Sequence, residues 1–369
     1  MADSDFSFGG VSIPSNTKRI YVTAVLVPST GDPRIQPTGF PDIGPVLYPD
    51  PSGENGQICL IESEASMANR LEEVAVADKY TGTLVSELAG LPYLKVLKGE
   101  RFMTASTIDG HRFASEYIMK AKLNEASGDA KKGERLVDYA TRVLGGSSDD
   151  IPAANVPRIF RLAMELDPLA LIHGFQISLK GELTFVGLRS PRALTACVVG
   201  LNAQPVGVPG VRIDPIGTGD AGQAIFRKER IVAKPIHANF TIDIGLLTGL
   251  PAGADPVKDE KNDAARKRTE VRDHRRRLLV ALSLWKVAKF LKDLSEGHRL
   301  RTECDLALES VNYKTKWNGG TDTCFPFEQI VTDAAKKNGD NAADGSLQDL
   351  IVKANLPASR SPLTLEFGG

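Results

Sequence analysis

Many of the patterns that announce chemistry are missing from this chain of 369 residues. Its four cysteines, Cys59, Cys197, Cys304 and Cys324, include no CxxC pair, which argues against a zinc ribbon or a disulfide framework and fits a reducing cytoplasm. The five histidines, His111, His173, His237, His274 and His298, form no HxH, HxxxH or HExxH, so no local metal motif is present. No GxxxxGKS or GxxxxGKT loop occurs, which removes P-loop nucleotide hydrolysis, and no GxSxG elbow marks a serine nucleophile. No apolar run reaches bilayer length, and residues 1–10 lack the basic and apolar regions of a secretory leader. A cytoplasmic protein without membrane contact is therefore expected. Net charge is small too: 45 basic and 46 acidic side chains leave −1, so any polyanion site must be a local patch. Carboxylates are plentiful but ungrouped, and the expectation is no catalytic residue, no metal and no cofactor.

What is present is an ordinary globular composition, 42% hydrophobic and 25% charged, with a length that suits two domains or one elaborated domain. The chain is organised around residues 58–73. Residues 58–61 (Ile-Cys-Leu-Ile) are dense and apolar enough for a buried strand. In Glu62-Ser63-Glu64, Ser63 suits a helix cap and Glu64 the first turn. Met67, Leu71, Val74 and Ala75 then recur at helical spacing toward a core, leaving Ser63, Ser66, Asn69, Arg70 and Glu73 on or near the other face. A strand running into a helix start with hydroxyls, an amide and a guanidinium can hold a phosphate. The plainer alternative is an amphipathic helix with a solvated polar face.

Elsewhere the periodicities predict further elements. Residues 19–27 are β-branched and nearly all apolar, which predicts a central strand. Residues 28–51, with seven prolines, are expected to be irregular, a structured loop that carries Arg34 and buries Ile35, Phe40 and Ile43. Residues 92–97 read as a strand and 101–112 as a polar connection bearing Thr104, Ser106, Thr107, His111 and Arg112. Helices are expected over 134–144 and 156–166. Phe175, Ile177 and Leu179 alternate with polar residues as a half-buried strand whose hairpin partner is 184–188, and 193–200 follows as another strand. Phe240, Ile242, Ile244 and Leu246 alternate with polar residues or glycine, which predicts a strand through 246. Residues 251–273 are charged and read as a flexible loop or frayed helix start, and Arg275-Arg276-Arg277 as its solvated continuation. Out of it grows an apolar helix, 278–291, with Ser283, Lys286 and Lys289 as its polar stripe. Residues 300–311 read as a strand, 327–337 as a helix, and 358–369 as a loosely held tail.

The segment Gly217-Thr218-Gly219-Asp220-Ala221-Gly222 matches the letter of a dinucleotide fingerprint, but extended residues follow it where a helix is needed, and a flexible hairpin tip is the expected reading. Basic residues cluster at strand edges instead. Arg189 and Arg192 flank Ser190-Pro191, and Phe226-Arg227-Lys228-Glu229-Arg230 lies in an extended arm. Such groups can neutralise phosphates while a nearby aromatic stacks on a base; the alternative is that charged edges merely block aggregation.

Three stretches then carry a family likeness: Gln36-Pro37-Thr38-Gly39-Phe40-Pro41-Asp42-Ile43-Gly44, Glu62-Ser63 through Ser66-Met67-Ala68-Asn69-Arg70-Leu71-Glu72, and Ser190-Pro191-Arg192-Ala193. With residues 278–282 and 300–306 they make the chain resemble, in colinear order over about 19–308, the backbone subunit of type I-G (formerly I-U) CRISPR Cascade complexes. The resemblance implies a RAMP-superfamily α+β fold. Its core would be an RRM-like (ferredoxin-like) palm with an antiparallel sheet, over 19–200 and 236–311, and a thumb-like hairpin insertion over 205–235. The whole would be one elaborated domain. It implies a non-catalytic subunit that polymerises with copies of itself along a CRISPR RNA, beside other Cascade subunits, and presents the guide to target DNA. The implied RNA-contacting residues are Arg34, Ser63, Ser66, Asn69, Arg70, Thr104, Arg112, Arg189, Arg192, Arg227, Lys228 and Arg230. The chain departs from the family at 222–232, where a Gly-Asn-Val-Pro-like turn is replaced by Gly-Gln-Ala-Ile-Phe-Arg-Lys-Glu-Arg. Two other functions remain open: a metal-dependent RNA-cleaving nuclease using Asp109 or Asp220, and a protein scaffold that assembles without RNA.

Overall fold

The structure is a computed structural model and describes residues 5–40, 44–54, 56–126, 130–145, 157–177, 188–207, 211–213, 224–226, 230–251, 262–297, 299–300, 304–316, 320–336, 345–356 and 361–367. In chain order the elements that position the site are β1 (Arg19–Pro28), β2 (Gln57–Glu62), α1 (Glu64–Glu73), β3 (Leu94–Lys98), β4 (Arg101–Ala105) and β5 (Lys122–Leu123). They continue with α2 (Pro157–Leu166), α3 (Pro168–His173), β6 (Leu194–Gly200), β7 (Gln204–Val206), β8 (Arg230–Val232) and β9 (Ile236–Asp243). The rest are α4 (Asn262–Ser295), β10 (Leu306–Lys314), α5 (Phe327–Ala334), α6 (Leu347–Lys353) and β11 (Leu363–Glu366).

The fold is mixed α+β around an antiparallel sheet of seven strands. At its centre β10, β1, β9 and β6 lie side by side, each antiparallel to its neighbour. β2 and then Leu47–Pro49 extend one edge, and Thr323–Cys324 the other. Following the chain, β1 reaches β6 by way of α1, and β9 reaches β10 by way of α4, so each crossover straddles a strand of the other. Strict alternation decides which face is covered. Ile20, Val22, Ala24 and Leu26 of β1 and Ile236, Ala238, Phe240 and Ile242 of β9 are buried, and helices cover the sheet as α1 packs on β6 and α4 on β9 and β10. Each fully buried Leu, Ile or Phe contributes about 1.5–3 kcal/mol of transfer free energy. Tyr21, Thr23, Asn239 and Thr241 point to the opposite, half-open face, where the Thr23 hydroxyl donates to Asn239 Oδ1 at 3.2 Å.

α4 is the central post. Trp285 is wholly buried, Phe290 meets Phe240 edge to face at 5.8 Å, and the helix packs against α1, α3, α5 and α6. Its first turns agree with the helix-start alternative for this region and correct the solvated reading of the three arginines. Residues 262–273 are helical, and Arg275 to Arg277 are engaged with their surroundings. Arg275 is 7% exposed and donates to the Ala354 carbonyl at 3.1 Å, Arg276 donates to the Leu250 carbonyl at 3.4 Å, and Arg277 lies 5.7 Å over the Phe6 ring. Residues 252–261 lie outside the described set.

Other differences follow from side chains that local pattern misreads. Asp243 accepts the Leu246 amide at 2.8 Å and starts a short helix, Ile244–Gly249, so the strand predicted through 246 ends at 243. The proline-rich stretch holds two- and three-residue strands, among them Arg34–Ile35. The polar connection 101–112 begins as β4. Within the expected loose tail, Leu363–Glu366 form a strand. β11 sits inside a second sheet, ordered β4-β3-β11-β5, with Leu363 and Leu365 buried. No described helix is long and apolar enough to cross a membrane.

Between β6 and β9 the chain runs through a nested antiparallel insertion: β7 pairs with β8, and Val211–Ile213 with Ala224–Phe226. β8 also pairs with Arg34–Ile35 on its other edge. The expected hairpin turn at 181–182, the glycine-rich 217–222 segment and Asp220 lie outside the described residues.

Candidate nucleic-acid interface

α1 takes its position from both ends. The Ser63 hydroxyl accepts the Ser66 amide at 3.3 Å and so occupies the helix start that a phosphate would use, with Glu64 in the first turn. Met67, Ala68 and Leu71 fix the inner face. At the far end the Leu71 carbonyl, one of the groups a helix leaves without an internal partner, accepts Lys286 Nζ at 2.9 Å. Lys286 was read as part of a polar stripe, yet it is fully buried.

That lysine belongs to a buried polar cluster with Glu72, Ser106, Arg112, Asp167 and His173, the groups that line a narrow cavity under α1. Arg112, at φ 56°, pairs with Glu72 and donates to the Gly174 carbonyl at 2.7 Å. Burial pushes the Asp167 carboxyl up to about 7, with Ser106 and Arg112 opposing, and brings the Lys286 ammonium down to about 8 against the pull of Glu72 and Asp167. Burial also holds His173 well below its ordinary value, so its approach of 3.8 Å to Glu72 is proximity between a neutral ring and a carboxylate and not an ion pair. Gly174 closes the cluster. Its φ of +75° suits only glycine, and a Cβ there would lie 2.6 Å from the Ser190 carbonyl, so the Ser190-Pro191-Arg192 segment packs directly on it.

Outside this cluster a cleft of about 490 Å³ opens, lined among others by Asn69, Arg70, Glu72, Glu73, Lys79 and Thr107. Glu73 spans its two cations: Oε2 lies 3.1 Å from Arg70 Nη1 and Oε1 lies 3.0 Å from Lys79 Nζ. Burial raises this carboxyl, but Lys79 and Arg70 outweigh it and hold it below the usual carboxylate range. A second charged group forms where β8 meets Arg34–Ile35. Arg34 grips Asp32 with Nη2 at 2.7 Å, and these hydrogen bonds, with Arg230 adding its charge, lower the Asp32 carboxyl to about 2.

The sequence-predicted residues therefore divide. Asn69 and Arg70 line the cleft, while Arg34 and Arg230 stand together at the root of the insertion. Arg189 and Arg192 are exposed on either side of the Gly174 contact, and Arg192 is close enough to lower the His173 pKa. Arg112 is committed to Glu72 and Gly174, and its side chain is only 11% exposed. Ser63 is committed to the helix cap, and the Ser66 hydroxyl oxygen is buried with no hydrogen-bond partner. Thr104, on β4, is half-buried opposite Val96 and is not part of the cleft lining. Arg227 and Lys228 lie outside the described residues. Sequence reading does not single out Lys79 or Asp167, places Thr107 only in a polar connection and His173 only among isolated histidines, and leaves the role of Lys286 unmarked. Two signals were available: Lys286 directly after Trp285 in a largely apolar helical run, and Asp167 before Pro168, a helix-capping pair.

Among the described residues no group of three or more His, Cys, Asp or Glu could hold a metal ion. Asp109, a candidate nuclease acid, accepts the His111 amide at 2.9 Å and the Ser115 hydroxyl at 2.7 Å.

Against known proteins, the family model described as CRISPR-associated protein GSU0053 matches residues 20–205, half of the chain. No curated protein matches. Among solved structures the chain is similar to Csc2 of Thermofilum pendens, at 8% identity and a TM-score of 0.35, over 93% of this chain and 86% of that one. It is also similar to a chain of a CRISPR RNA-guided surveillance complex in a pre-nicking state, at 10% identity and a TM-score of 0.32, over 91% of this chain and all of that one. Likeness at this level carries no functional weight.

Proposed function

The chain belongs to the CRISPR-associated protein GSU0053 family, and from that premise we propose that it is the CRISPR RNA-binding backbone subunit of a type I-G Cascade effector complex. The family match carries the reading, because it spans β1, β2, α1 and β6, the frame on which the cleft is built. Support comes from the strand order β10-β1-β9-β6, which is that of an RRM-like palm, and from the insertion between β6 and β9, in the place of a thumb. Copies of the subunit polymerise along the guide, which stays open for pairing with target DNA, and no catalytic step is assigned to it. Arg34, Asn69, Arg70, Arg189, Arg192 and Arg230 contact the guide backbone, with Arg227 and Lys228 on the insertion. Ser63, Ser66, Thr104 and Arg112 act through the structure around them. Base pairing supplies specificity, so binding is nearly independent of guide sequence and weakens as salt rises.

The test is to purify the chain from a host expressing a CRISPR array and to size any RNA that comes with it. Discrete repeat-spacer RNA in a large particle is the expected result. A nucleic-acid-free monomer that ignores added guide RNA refutes the reading; RNA cut only with a divalent metal present would favour a nuclease, and assembly without RNA a protein scaffold.

A further inference from the structure

We propose that Arg70 and Lys79 form a single-phosphate site in the cleft, and that Glu73 occupies it in the free protein as a stand-in which one phosphodiester of the bound RNA displaces. The inference deepens the proposed guide-binding role and rests on it.

The geometry is that of an anion already held. The two oxygens of one carboxylate each take one cation, Arg70 at 3.1 Å and Lys79 at 3.0 Å, and two non-bridging phosphate oxygens present the same bidentate pattern with a larger charge. Helix stability explains a glutamate here only in small part, through one i,i+3 pair with Arg70. Glu72 and Glu73 are the last two residues of α1, at the end where the helix dipole disfavours a negative charge. Glu72 has its reason in Arg112, whereas Glu73 meets two cations at a side chain that is 40% exposed, where an ion pair adds little to the fold. The Arg70 side chain is 17% exposed, held in place along α1, and its Nε is buried with no hydrogen-bond partner. Lys79, 60% exposed, joins the lining from beyond the end of α1. With Glu73 in place the charges of the lining, Arg70 and Lys79 against Glu72 and Glu73, balance; with Glu73 swung aside Arg70 and Lys79 are both released to a phosphate. Occupancy by Glu73 thus keeps adventitious anions out and sets the affinity of each subunit low, so that firm binding comes from many sites on one RNA.

The test is fluorescence anisotropy of the full-length chain with a labelled single-stranded RNA of repeat-spacer sequence, across a salt series. Glu73→Gln is expected to bind about fivefold tighter at low salt, the effect of removing one nearby like charge, with a salt slope steeper by about 0.7. Lys79→Ala is expected to weaken binding about threefold with a slope shallower by about 0.7, and to diminish the gain when combined with Glu73→Gln. Glu328→Gln, which removes the same charge from the exposed first turn of α5, is expected to match the wild type. A folded Glu73→Gln chain that binds no tighter than wild type overturns the inference while leaving the guide-binding role intact. A wild-type chain that binds no RNA at any salt overturns both. If Glu73→Gln folds poorly, Lys79→Ala decides: unchanged affinity and slope overturn the site.

Discussion

Gly174→Ala is the substitution whose outcome the geometry constrains most tightly. The residue sits at φ +75° and ψ 161°, a conformation that costs a side-chain-bearing residue about 1–3 kcal/mol. A Cβ would also stand 2.6 Å from the Ser190 carbonyl and 3.0 Å from the Arg192 amide, both backbone atoms that cannot rotate away. Relief by backbone displacement resembles overpacking, at about 1–3 kcal/mol. The total is about 4 kcal/mol, which for a chain of this size lowers the thermal midpoint by about 5–10 °C. The displacement also moves the carbonyl that holds Arg112 and the segment carrying Arg192, so RNA affinity falls with stability. Gly207→Ala is the matched control, since a Cβ there meets nothing within 4 Å and its change should stay within about 1 kcal/mol. Thermal and urea unfolding of both variants decide the matter. If Gly174→Ala unfolds within about 2 °C of wild type, the close packing of Gly174 on Ser190-Pro191-Arg192 is refuted.

Three further outcomes are expected. The Asp167 carboxyl, at about 7 in the fold against 3.8 ordinarily, contributes stability that is full below about pH 4 and is lost as pH rises through about 7; wild type measured against Asp167→Asn should therefore lose several degrees of thermal midpoint between pH 5 and 7.5, and parallel curves would refute the assignment. Arg275→Ala leaves the Ala354 and Asn355 carbonyls beyond α6 without their guanidinium donor and should cost about 2–4 kcal/mol in urea unfolding, a loss that a solvated arginine would not cause. Arg34→Ala should weaken RNA binding to a similar degree on unrelated guides, with a salt slope shallower by about 0.7; a strong dependence on guide sequence would count against backbone contact.

Elements whose pattern is local and repeated could be read from the chain alone. β1 is β-branched and nearly all apolar, and α1 places Met67 and Leu71 on one side with a serine cap before them, so each matches its prediction within a residue or two. Where a single side chain overrules the pattern, reading fails: Ile244 and Leu246 continue the period of β9, but the Asp243 cap turns them into a helix. The charged first half of α4 looked solvated because its partners, the Ala354 and Leu250 carbonyls and the Phe6 ring, are distant in sequence. The same reason hid much of the cleft. Arg70 was visible on the polar face of α1, but nothing near Lys79 or Thr107 marks them as its neighbours, and the buried cluster draws on four separate segments.

β11 has a consequence for the order in which the molecule can assemble. Leu94 and Leu363 are register partners, so β3 waits until the chain has been made through Leu363 before its second neighbour exists. At ribosomal speed that delay is on the order of tens of seconds. The seven-stranded sheet needs only residues up to about Cys324 and can close first, while the small sheet keeps an open strand edge on β3, a ready template for pairing between nascent chains. The most vulnerable interval for this protein is therefore the one between the completion of its central sheet and the synthesis of Leu363, and a chain stopped just short of Leu363 would carry a finished central sheet and a permanently sticky flank.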